Sequence, residues 1–114
     1  MFNIYDIDSE SDKKVIYDLN SKYIEDYYTL YLKDINCFEF QDILNDMDLK
    51  VLSYIVNDNK YYKSNVYDLI DDYTENMNYE NKIYYEVYGI KIDAVTLRCN
   101  VQDIIILEKM NIIY

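Results

Sequence analysis

The chain has 114 residues, 51% of them hydrophobic, and sets 22 acids against 11 basic residues for a net charge of −11. That length suits one domain, and its 16 tyrosines argue against disorder, because disordered chains are poor in aromatics. The charge argues against nucleic acid or an anionic membrane as a direct ligand and for a basic protein surface as partner.

Residues 1–8 alternate weakly, as a short strand or an irregular lead-in would. The stretch "DIDSESD", Asp6 to Asp12, then supplies acids and serines suited to capping a helix start. Its alternate carboxylates resemble a calcium loop. However, Ser11 and Tyr17 stand where such a loop needs glycine and a bidentate glutamate, so no metal site is expected. A helix is expected from about Ser11 to Lys33, with Ile16, Leu19, Tyr23, Tyr27 and Leu30 on one face.

"INCFEF" reads as a connector, and Phe40, Ile43, Leu44 and Met47 as a short helix. Leu49, Leu52 and Val56 predict another helix over about 48–57, capped by Asp46 or Asp48. "NDNKYYK" reads as a polar connector. Ser64 is placed to cap a helix over 65–77. From Lys82 the period shortens: Ile83, Tyr85 and Val87, then Ile90 and Ile92, predict a strand pair over 82–93, with Gly89 at a hairpin or bulge. Asn100 to Asp103 resembles a capping box opening a short apolar helix to about Met110, with strand the rival reading of "DIIIL". The expected fold is α+β: a compact single domain, mainly helical in its first two-thirds, with a small antiparallel β element and a short helix in the last third.

The chemistry is that of a binding protein. Without histidine there is no Ser-His or Cys-His pair, and a single glycine cannot build a phosphate-cradling loop. Neither an enzyme nor a cofactor is expected. Cys37 and Cys99 match no metal or redox motif; two reduced, buried thiols in a cytoplasmic protein are favoured over a disulfide. No apolar run approaches the roughly 20 residues of a membrane span, and no basic-then-apolar leader opens the sequence.

Charge is segregated. Residues 1–80 hold 18 acids and 7 lysines, whereas residues 81–114 hold four of each sign. Within the acidic part, "VYDLIDDYTENM" puts Val66, Leu69, Ile70, Tyr73 and Met77 on one helical stripe and Asp68, Asp71, Asp72 and Glu75 on the other. Like charges three and four apart repel by a few tenths of a kcal/mol per pair, about 1–2 kcal/mol for this set. An acidic face is commonly no more than a solubilising surface. The segregation of charge raises a second reading to parity with that one. Carboxylates about one helical turn, roughly 5.4 Å, apart are spaced on the order of nucleic-acid phosphates. Asp18, Glu25, Asp26, Asp42, Asp46 and Asp48 would extend this footprint, and Tyr61, Tyr62 and Tyr67 would stack on arginines or replace bases.

The expected function is a small inhibitor that mimics nucleic acid and blocks a basic nucleic-acid-binding protein such as a nuclease effector. In composition, not motif, the chain is similar to phage or viral anti-restriction and anti-CRISPR proteins. The abundance of residues with A/T-rich codons agrees with a phage, viral or low-GC source. Such a protein would act in the cytoplasm of the host cell. An immunity or antitoxin protein facing a basic toxin is the alternative. So is an acidic structural module that self-associates through its apolar C-terminal third.

Overall fold

The computed structural model describes residues 24–114. Among the described residues the first regular element is a strand, β1, Asp26–Tyr31. This corrects the helix expected to run on to Lys33. Tyr28 and Leu30 turn inward, while Tyr27, Thr29 and Tyr31 turn out. Tyrosine and threonine suit that two-residue period. Tyr27 and Leu30 also stand three apart, which is why a helix fitted them equally well. The earlier part of that expected helix, the lead-in strand and the "DIDSESD" cap lie outside the described residues.

Helix α1, Cys37–Met47, starts three residues before the expected helix. The side chain of Asn36 accepts from the N–H groups of Phe38 and Glu39, which caps the helix inside the supposed connector. Cys37, Phe40 and Leu44 face the core. Asp48 ends the helix with φ 55°, a left-handed conformation that aspartate tolerates.

Residues 48–57 do not form the expected helix. They contain β2, Lys50–Val56. Its alternation is hidden by a bulge at Leu52: Val51 pairs with Leu97 and Ser53 with Thr96, so Leu52 is extra. The bulge leaves the inward residues Val51 and Tyr54 three apart, a helix-like spacing. Asn57 and Asp58 then both take positive φ, the geometry of a tight hairpin turn. They lead into β3, Asn59–Tyr61, within what reads as a connector.

Helix α2, Val66–Tyr73, is capped by Asn65, one residue after the expected Ser64, and ends four residues early. The region expected as a strand pair is helix α3, Tyr79–Tyr88, followed by residues without regular structure to Asp93. Strand β4, Ala94–Cys99, then leads into α4, Val101–Lys109. The α4 capping box forms as its sequence predicts. Asn100 Oδ1 accepts from the Asp103 N–H at 2.8 Å, and Asp103 Oδ2 accepts from the Asn100 N–H at 3.1 Å.

The four strands form one antiparallel sheet in the order β1-β4-β2-β3. The fold is therefore α+β, as expected. The helical first two-thirds is corrected, because the sheet draws three of its strands from residues 26–61. β4 fills the slot between β1 and β2. All three contribute to one core with α1, α2 and α4, built around Leu30, Phe40, Tyr54, Leu69, Leu97 and Ile104. The end of the chain runs beside β1: the Lys33 N–H donates to the Ile112 carbonyl and the Tyr114 N–H to the Tyr31 carbonyl. That contact blunts an edge strand.

Candidate functional site: an acidic helical face

α2 seats itself through Val66, Leu69 and Ile70, all buried, so the opposite face must meet solvent. Asp68, Asp71 and Asp72 stand on or beside that face, and Glu75 follows in the turn after the helix. Lys63 joins these four around an open depression of about 320 Å³. Sequence reasoning missed Lys63, since it precedes the helix cap and shares no periodicity with the stripe.

The four carboxylates differ in what they do for the fold. Asp68 stands in the first turn, where negative charge is favoured. Its Oδ2 accepts from Asn65 Nδ2 at 3.1 Å, while its own N–H donates to Asn65 Oδ1 at 2.9 Å. It is therefore part of the helix start. Among the described residues, no hydrogen bond or ion pair engages the side chains of Asp71, Asp72 or Glu75.

A second acidic face lies on α1. Asp42 and Asp46 are exposed one turn apart, and Glu39, which the sequence reading passed over, precedes Asp42 by three residues. The two helices are tied together by one buried and one surface contact. Gln41 Oε1 accepts from the Val66 N–H at 2.8 Å, and the rings of Phe38 and Tyr67 stack at 5.8 Å. Since both helices bury their opposite faces in one core, both acidic faces point away from it.

The other expected contact residues are dispersed. Glu25 is held by Arg98 at 3.0 Å, and Asp26 begins β1 opposite Cys99. Asp48 is the left-handed end of α1 and lies 3.6 Å from Lys50, with both side chains exposed. Tyr61 is half-buried, edge-on to Tyr73. Tyr62 is exposed, with the Lys60 ammonium 5.7 Å from its ring centre. Asp18 lies outside the described residues.

Other chemistry is thinly represented. Among the described residues, no three histidine, cysteine or acidic side chains cluster to hold a metal, and no helix is long and apolar enough to cross a membrane. Cys37 and Cys99 are buried free thiols. Burial pushes the Cys99 thiol up to about 12, with the nearby carboxylates of Asp103 and Glu25 adding to the effect. Burial also raises that of Cys37, against three lowering backbone hydrogen bonds. Both are thus held neutral, without the thiolate a nucleophile needs. Comparison with family models, curated proteins and solved structures returns no match.

Proposed function

We propose that this protein is a small acidic inhibitor. It occupies the nucleic-acid-binding surface of a basic target, such as a nuclease effector, in the manner of phage or viral anti-CRISPR and anti-restriction proteins. The observation that carries the reading is the side-chain inventory of α2 and its exit turn. Asp71, Asp72 and Glu75 serve no hydrogen bond or ion pair among the described residues, yet they line one depression together. Glu39, Asp42 and Asp46 on α1 supply a second row of negative charge. The mechanism is steric occlusion by binding, with no catalytic step: charge steers the encounter, and the acidic face takes sites that phosphates would fill. The place of action is the cytoplasm of the cell in which the target works.

The test neutralises Asp71→Asn, Asp72→Asn and Glu75→Gln together and spares Asp68, which belongs to the helix cap. With the partner identified by capture and sequencing, affinity should fall about tenfold or more, since desolvated charge pairs at an interface are costly to break. The wild-type chain should displace nucleic acid from that partner, and salt should weaken its hold. Thermal stability should hold or rise slightly. If the partner binds the neutralised chain equally well, or keeps its nucleic acid while bound, the reading fails. A basic toxin without a nucleic-acid site would instead identify an immunity protein.

A further inference from the structure

Helix α3 is at odds with the rest of the fold. It has ten residues and buries none of them. It meets the body through the half-buried Tyr85, whose ring lies edge-on to Tyr73 at 5.4 Å. Away from that contact Tyr79, Ile83, Tyr84, Val87 and Tyr88 form an exposed strip, from 39% exposed at Ile83 to 76% at Tyr79, with the Tyr84 ring 5.3 Å from that of Tyr85 at its margin. Ile83 with Val87, and Tyr84 with Tyr88, stand one turn apart. The rings of Tyr84 and Tyr88 lie 4.9 Å apart and tilt against each other. Glu80 stands at its N-terminal end, where the helix dipole favours an acid.

We propose that this strip is the contact surface between two copies of the chain. Its size fits. An aromatic side chain offers roughly 150–250 Å², so three tyrosines, an isoleucine and a valine present on the order of 600–700 Å². A standard interface takes about 800 Å² from each partner, whereas the apolar patches on most monomers are smaller. Its charge fits as well. Two copies of a chain at −11 repel through their acidic faces, and association needs a neutral surface. α3 carries Glu80, Lys82 and Glu86, a net charge of only −1. A basic partner would be drawn to α1 and α2 instead. A strip that meets its own copy closes as a two-fold dimer and leaves no further copy to add. This inference stands apart from the inhibitor reading, and either can fail without the other.

Sedimentation equilibrium of the full chain at up to about 100 µM, a range that reads micromolar association, tests it. The wild type should show twice the 13.9 kDa of one chain. Val87→Glu and Ile83→Glu place a charge on the strip without touching the core. Each should raise the dimer dissociation constant about tenfold or more, with an unchanged far-UV circular dichroism spectrum. Neutralising Asp71, Asp72 and Glu75 should leave dimerisation intact. A single-copy mass for the wild type overturns the proposal, whether the strip is then bare or covered by another segment of its own chain. An unchanged dimer in both glutamate variants overturns it too.

Discussion

Consecutive helices α2 and α3 have opposite constructions. α2 places Val66, Leu69 and Ile70 in the core and presents acids to solvent. α3 buries no residue fully, rests the half-buried Tyr85 against the core, and presents tyrosines and aliphatics. The first is held by burial, and its solvent face is free to carry charge. The second is held by its ends and by Tyr85, which packs against the core and meets Tyr73. Asn78 Oδ1 accepts from the Asn81 N–H at 2.8 Å at one end. At the other, the Gly89 N–H donates to the Tyr85 carbonyl at 2.8 Å. Apolar patterning in this chain therefore has two causes, the core and the surface.

The contrast can be broken most forcefully at Leu69. It is fully buried, and Leu69→Ala should destabilise the fold by about 2–5 kcal/mol in urea unfolding. Gly89→Ala comes next and tests how α3 is moored. Gly89 has φ 82° and ψ −178°, a region essentially closed to other residues, and an added Cβ would stand 2.5 Å from Cys37 Sγ and 3.2 Å from the Phe38 ring. The expected cost is about 2–3 kcal/mol. Val87→Ala, on the strip, should change the stability of the monomer by no more than about 0.5 kcal/mol. A cost near that of Leu69→Ala would place α3 in the core and erase the contrast.

What could be read in the sequence divides along the same line. The stripes of α1 and α2 and the capping box of α4 were legible because their causes are local: a helical period facing the core, and a side chain three residues from its partner. β1 was not, because six residues of helix-compatible spacing become a strand only by pairing with β4, some seventy residues on. β2 was obscured by the bulge at Leu52. α3 read as a strand because Ile83, Tyr85 and Val87 alternate. The inward side of its helix is marked by Tyr85 alone among them, so a core-facing stripe was not there to find. For the acidic site, Asp68, Asp71, Asp72 and Glu75 gather as their spacing implies. Glu39 was lost with the misplaced start of α1, and Lys63 reaches the group through a loop, which no period describes.

The sheet order also bears on how the chain acquires its shape. β1 and β2 run in the same direction with a gap between them, and β4 enters that gap late in the sequence. Among the described residues β1 pairs with β4 alone, so that pairing must wait until residues 94–99 have been made. The hairpin of β2 and β3 can form early, but one side of β2 stays unpaired. Such long-range closure is slow and leaves apolar strand edges exposed meanwhile. An acidic nascent chain, whose copies repel, is a chemically apt way to wait for the last strand.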